Sequence, residues 1–305
     1  MKILLMGGTG WVGHAIAMQL AAIGADVTIL TRGLKKDFAD EVKNIRMIQA
    51  DKNDEAAMAE VLKTRYSHII DTVPSEKAIQ NVYRHAQGLR HYLHCSSTGG
   101  YAPLPFVPAN ETAPYRGFSA GWLTKRDNDA LAMQLFMTDG FPVTILRPCY
   151  ICGPGRFPLD NLGSRREAFI PDLMAEKVID VPNDGTALLQ PIHFQELARA
   201  FLLAIDHPLS IGQVYNICLD HAVPFNKYLE LSAAALGKKP NINYMSVPDI
   251  LAKYGSKVNK VNLEFVAEHM CFDISKARRD LDFHPRYTSE EAIEENVLWI
   301  VKNKL

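Results

Sequence analysis

From Lys2 to Pro148 short, nearly unbroken apolar runs alternate with helix-length segments, and this alternation constrains the fold more than any other feature of the chain. KILLM is followed by a helical pattern from Trp11 to about Ile23. DVTILT and IRMIQA come next, then a helix from about Asp54 to Lys63, SHIIDTV, a helix over 76–87 and RHYLHCSS. A longer loop leads to a helix over about 120–138 and the strand PVTILRP. Strands that are apolar throughout need cover on both faces, and a helix between two strands is the crossover that parallel pairing requires. The expected product is an α/β fold with a doubly wound parallel sheet.

Beyond Pro148 the rhythm gives way to loops rich in Gly, Pro and Asn, with one helical piece near 165–176. FQELARAFLLAI and GQVYNI then resume the α/β pattern. The expected division is a sheet domain over 1–152, to which 187–218 return, and a smaller interleaved C-terminal substrate lobe made of 153–186 and 219–305. No internal repeat or low-complexity tract interrupts it.

The first strand ends in GGTGWVG, with Gly7, Gly10 and Gly13 spaced G-x-x-G-x-x-G. A tight turn, a close approach of backbone to a diphosphate, and tight packing of helix on strand are the three tasks glycine serves in such a stretch. The helix start behind it offers unpaired N–H groups to an anion. Placed between an N-terminal strand and a helix that opens an α/β series, the triplet reads as the dinucleotide-binding turn of a Rossmann-type sheet.

At the end of the second strand, where a carboxylate would accept from a ribose 2′-hydroxyl, the chain has Thr31, Arg32 and Gly33. Arg32 can instead bond a 2′-phosphate for about 1.5–3 kcal/mol, roughly a ten- to hundred-fold preference for NADP over NAD. A surface arginine at a strand end is the competing reading. Asp51, closing IRMIQAD, is placed either for the adenine edge or for capping its own loop.

Charge excludes some partners. With 33 basic and 34 acidic residues, no overall field draws the chain to nucleic acid or a membrane. The doublets Lys35-Lys36, Arg165-Arg166, Lys238-Lys239 and Arg278-Arg279 are short and scattered. Five cysteines, an odd number thinly spread, point to a reducing compartment, and CYIC at 149–152 lacks the second ligand pair of a zinc site. No metal is expected. Without a signal-like start or a membrane-length apolar run, the expected location is the cytoplasm.

GGTGWVG, SSTGGYAP at 96–103, LRPCYICGPG at 146–155, PIHFQELA at 191–198 and FDISKARRDLDFHP at 272–285 resemble, in order, the motifs of the extended short-chain dehydrogenase/reductase family. These are the NAD(P)-dependent epimerases and dehydratases of nucleotide sugars. Within the family the second half looks most like the atypical branch that includes the chloroplast stem-loop-binding proteins.

The resemblance implies an NADP or NAD site that takes in Thr9, Trp11, Val12, Thr72, Lys125, Pro148 and Tyr150 beside the glycines, Arg32 and Asp51. It also implies a catalytic set of Ser or Thr, Tyr and Lys, with the last two in Y-x-x-x-K. Ser97 matches the first and Lys125 the last, but Gly121 stands where the tyrosine belongs. Lys125 can still hold the ribose hydroxyls without that partner. Gly121 leaves a space that Trp122 or a ligand ring can fill. Tyr115 is the first candidate for a substitute phenol and Tyr150 the second, with packing roles as their competing readings.

His193 matches a segment that supports the substrate pocket, or is a core histidine. Arg165, Arg166 and Asn183 are candidates for holding an anionic leaving group. The expected function is an NADP-preferring epimerase/dehydratase-like oxidoreductase acting on a nucleotide sugar or similar polar small molecule, as a possible homodimer. The alternatives are an RNA-binding protein that keeps the fold, and a non-catalytic NADPH sensor.

Overall fold

A computed structural model describes residues 1–34, 38–117 and 119–305. The doublet Lys35-Lys36 lies outside the described residues. The first half runs β1 (Lys2–Met6), α1 (Trp11–Ala22), β2 (Asp26–Thr31), β3 (Arg46–Gln49), α2 (Glu55–Val61), β4 (His68–Asp71), α3 (Glu76–His85), β5 (His91–Cys95), α4 (Ala120–Asp139) and β6 (Val143–Pro148). There follow β7 (Tyr150–Cys152), α5 (Phe169–Met174), β8 (Val178–Pro182), β9 (Leu188–Leu189), β10 (Pro191–His193), α6 (Phe194–Ala204) and β11 (Gln213–Ile217). The chain ends with β12 (Val223–Pro224), α7 (Phe225–Ala234), β13 (Asn241–Met245), α8 (Val247–Tyr254), α9 (Lys260–Ala267), α10 (Ser275–Leu281) and α11 (Ser289–Lys304).

Seven strands form one sheet in the order β11-β6-β5-β4-β1-β2-β3, every neighbouring pair parallel. The chain winds outward from β1 to β3, then crosses back to set β4 on the other side of β1. That reversal opens a crevice past the carboxyl ends of β1 and β4, where Met6 stands beside Asp71. β4, β5 and β6 are buried throughout, the burial their unbroken apolar runs demand. The core splits accordingly: Ile3, Leu5 and Ile29 face one set of helices, and Leu4, Met6 and Leu30 the other.

β11 joins the sheet beside β6, and α6 packs along α1, where the Gln19 amide donates to Gln195 Oε1 (2.8 Å) and to the Gln195 carbonyl (3.1 Å). Residues late in the sequence thus complete the sheet and cover one of its helices. The remaining strands pair in twos, β7 with β10, β9 with β12 and β8 with β13.

Local chemistry sets several boundaries. Asp54 and Ser75 cap α2 and α3 by accepting from the Ala57 and Ala78 N–H groups. Thr288 and Glu291 form a reciprocal capping box on α11. Gly140, at φ 69°, ends α4 in a left-handed turn. Among the described residues no helix is long and apolar enough to cross a membrane.

Candidate functional site

The carboxyl edge of the sheet opens on a cleft of about 490 Å³. Its floor is the turn from β1 into α1. Gly7, at φ 91°, turns the chain so that the Gly10 N–H donates to the Gly7 carbonyl (3.1 Å). No side chain caps Gly10, unlike the starts of α2 and α3. The first N–H groups of α1, carried by Trp11, Val12 and Gly13 along the cleft, therefore keep no intrahelical or capping partner among the described residues. An anion seated there meets both the donors and the positive end of the helix.

Thr9, Arg32, Asp51 and Thr72 line the walls of the same cleft. The Arg32 side chain is exposed and takes no hydrogen bond or ion pair among the described residues. Asp51 closes its own loop, accepting from the Asn53 N–H (2.9 Å) and side-chain amide (3.1 Å). Thr72 donates to the Met6 carbonyl (3.0 Å) and so fixes its hydroxyl beneath Gly7.

Lys52, which sequence reasoning did not single out, also lines the cleft. Its ammonium bonds the wholly buried Asp71 carboxylate at 2.5 Å and the Val73 carbonyl. Asp71 lies 19 residues downstream and reaches Lys52 only because β4 lies beside β1, so no local signal could have paired them.

A second cluster gathers where β5 ends. Ser97 starts a short 3-10 turn over Thr98–Tyr101, its hydroxyl accepting from the Gly99 N–H (3.2 Å) while its proton stays available to another acceptor. Tyr115 packs over Gly100 and donates to the Ser97 carbonyl (2.6 Å), within 3.2 Å of Ser96 Oγ. The Arg147 guanidinium covers the Tyr115 ring at 3.7 Å, reaches the Tyr101 hydroxyl at 2.6 Å, and pairs with the buried Asp129 at 2.9 Å.

Burial raises the Asp129 carboxyl, but His94, 3.0 Å away, and Arg147 outweigh it and hold the group below the usual carboxylate range. Burial drives the Tyr115 phenol well above its ordinary value, Asp129 adding to the effect, and Tyr101 is pushed up to about 12 for the same first reason. Tyr115, the first candidate for a substitute base, thus sits where ionisation is opposed. Its proton is committed to a backbone carbonyl, and the phenolate is disfavoured by burial and a nearby carboxylate. It clamps the turn that presents Ser97.

Gly121 sits in the first turn of α4, exposed, and a Cβ built there meets nothing within 4 Å. The Trp122 indole does not fill that space; it lies against Gly99. Lys125, one turn on and partly buried, is close enough to Cys95 for its charge to oppose the burial that raises this thiol to about 12. Its ammonium takes no hydrogen bond or ion pair among the described residues.

Other expectations meet a different geometry. Pro148 and Tyr150 do not line the cleft; both are buried. The Tyr150 hydroxyl accepts from the Leu159 N–H (2.9 Å) and stands 3.5 Å from that of Tyr228, so its ring faces the interior of the following segment. Arg165 donates to the Phe157 and Ile151 carbonyls, Arg166 pairs with buried Asp160 at 2.6 Å, and Asn183 shapes a turn, donating its N–H to the Met245 carbonyl. All three have structural employment. His193 is a buried core histidine, stacked on Tyr287 with its Nδ1 capping α6. The five cysteines are free thiols.

Residues 3–83 and 76–218 match the NAD dependent epimerase/dehydratase family. The chain belongs to that family. Among its relatives, the chloroplast stem-loop binding protein of 41 kDa b of Arabidopsis thaliana is 25% identical over 97% of this chain and 78% of its own length. A UDP-glucose 4-epimerase of Corynebacterium glutamicum is 26% identical over 68% of this chain and 71% of its own. Solved structures share the whole fold at low identity. UDP-glucose 4-epimerase of Thermotoga maritima, crystallised with UDP-glucose, superposes with a TM-score of 0.79 at 18% identity, covering 99% of both chains. A dTDP-glucose 4,6-dehydratase of Bacillus anthracis, in complex with NAD, gives 0.79 at 18% identity, covering 100% of this chain and 97% of its own.

Proposed function

We propose that this member of the NAD-dependent epimerase/dehydratase family binds NADP(H) in preference to NAD(H). We propose further that it acts as an oxidoreductase on a nucleotide sugar or similar polar alcohol or carbonyl compound. The observation that carries the reading is the uncapped start of α1 beside the glycine turn, with Arg32 as the cation at the end of β2 on the same cleft. The N–H groups of α1 would hold the diphosphate, Arg32 the 2′-phosphate, and Lys125 the nicotinamide ribose. Bound there, the coenzyme would supply hydride exchange. The chain's own contribution is orientation by Lys125 and a hydroxyl donor at Ser97, with no phenol at position 121 to move the substrate proton. The loss of such an acid or base typically removes about 10²–10⁴-fold of rate, which leaves turnover resting on positioning.

Calorimetric titration of the wild type and Arg32→Ala with NADPH and NADH tests the coenzyme reading. The variant should lose about ten- to hundred-fold for NADPH and little for NADH. Equal losses for both, or no heat from either with folded wild type, defeat it. Hydride exchange with a panel of nucleotide sugars tests the substrate.

Gly121 favours a second reading, a coenzyme-binding protein without turnover, with an RNA-binding or sensor role. The Arabidopsis relative carries a stem-loop-binding name. Salt-sensitive binding of a structured RNA together with no hydride exchange would support this reading over the first.

A further inference from the structure

Arg156 lines the coenzyme cleft from the far side of the chain, 145 residues after Trp11. Its guanidinium stands 5.6 Å from the centre of the Trp11 ring, on the first residue of α1. The loop that carries it is built rather than draped. Trp11 Nε1 donates to the Pro154 carbonyl at 2.6 Å, and the amide of buried Asn296, on α11, donates to both the Gly153 and Arg156 carbonyls at 2.8 Å. Gly155, at φ 100°, lets the backbone come against Trp11 and Phe38, where a Cβ would stand 3.0 Å from Trp11 Nε1 and 2.9 Å from Phe38 Cζ. Arg165 stands 5.6 Å from the same Trp11 ring and donates to the Phe157 and Ile151 carbonyls. Arg156 alone of the two lines the cleft.

We propose that Arg156 is a diphosphate-binding residue: a planar cation held by the Pro154–Arg156 loop opposite the N–H groups of α1, so that a dinucleotide's diphosphate is gripped from both sides. This rests on the coenzyme reading above and adds to it a contact from outside the β1–α1 turn. A guanidinium suits the task because it can give two parallel bonds to phosphate oxygens and sheds its hydration readily. The consequence is that the loop order set by Asn296 and Trp11 contributes to coenzyme affinity, independently of the choice between NADP and NAD made at Arg32.

The test is calorimetric titration of wild type, Arg156→Ala and Arg156→Gln with NADPH, NADH and ADP, each at low and high salt, with folding checked by circular dichroism. Both variants should weaken all three ligands by about ten- to hundred-fold, leave the NADPH-to-NADH ratio within about twofold of wild type, and show a shallower salt dependence. Arg156→Gln keeps most of the side-chain bulk, so it carries the test if the alanine variant fails to fold. Wild-type affinity for ADP in either folded variant overturns the proposal, as does a loss confined to NADPH. Binding of ADP that depends on Arg156, with neither dinucleotide bound, would keep the clamp and defeat the coenzyme reading instead.

Discussion

Replacing Gly13 by alanine puts one methyl group between α1 and β1. A Cβ on Gly13 would overlap the Gly7 carbonyl oxygen and lie 2.9 Å from both Gly7 C and Gly8 Cα. Carbon atoms in comfortable contact stand about 3.5–4.0 Å apart, and the obstacle is backbone that cannot rotate aside, so α1 must back away by about 1 Å. Overpacking of this kind costs about 1–3 kcal/mol of stability. The same displacement carries the N–H groups of Trp11, Val12 and Gly13 away from any anion in the cleft. Weakening even one charge-assisted bond there costs about 1.5–3 kcal/mol, or roughly tenfold or more in affinity.

Gly121→Ala is the matched control, because its Cβ meets nothing within 4 Å and an alanine in a helix gains up to about 1 kcal/mol over glycine. Urea unfolding followed by far-UV circular dichroism, with calorimetric titration of NADPH, reads both quantities. Gly13→Ala should lose stability and affinity together, and Gly121→Ala should lose neither. A Gly13→Ala protein as stable and as tight-binding as wild type would refute the claim that this glycine is required for close packing under the anion site.

The same open space makes Gly121→Tyr a gain-of-function test: it should fold, and raise hydride exchange on a substrate that the wild type turns over by about 10²–10⁴-fold, whereas an unchanged rate would mean that position 121 does not face the reacting centre. Arg147→Met takes the guanidinium from the buried Asp129 carboxylate and should cost about 3–5 kcal/mol in urea unfolding, with Arg147→Met/Asp129→Leu costing less than the single change. His91 is lowered to about 4, chiefly by burial and secondarily by His68. It accepts the Asp206 N–H at Nδ1, and Thr144, whose hydroxyl proton goes to the Ser210 carbonyl, leaves Nε2 as donor; both bonds suit the neutral ring. The unfolded chain takes up a proton below about 6.5 that the folded chain refuses, so stability is lost as pH falls from about 6.5 towards 4, by about 3 kcal/mol at the lower limit. Urea midpoints for His91→Gln should fall less over that interval than those of wild type, and parallel curves would remove His91 as the cause.

How far the sequence reaches is clearest at the two ends of the cleft. The glycine turn, the strand before it and the helix behind it are contiguous, and each depends on backbone preferences and periodicities expressed within a few residues. GGTGWVG therefore announced its own geometry. Arg32 and Asp51 reached the cleft for the same reason, since the carboxyl ends of neighbouring parallel strands share one edge.

Side-chain direction past the sheet was a different matter. Tyr150 looked like a wall of the site, but β7 pairs with β10 outside the main sheet, and that pairing turns its ring to Leu159 and Tyr228. Tyr115 looked available, yet Arg147, on β6, stacks on it and Asp129, from α4, raises the cost of its ionisation.

By itself the sequence determined that the chain alternates strand and helix, winds a parallel sheet and opens it with a glycine turn, because those choices are settled by neighbours along the backbone. Only the tertiary structure decided that Lys52 would meet Asp71, that Tyr115 would be a clamp, and that Arg156 would come to stand over Trp11. These meetings join residues 18 to 145 positions apart, and they follow from strand order and burial, which no short stretch of sequence encodes.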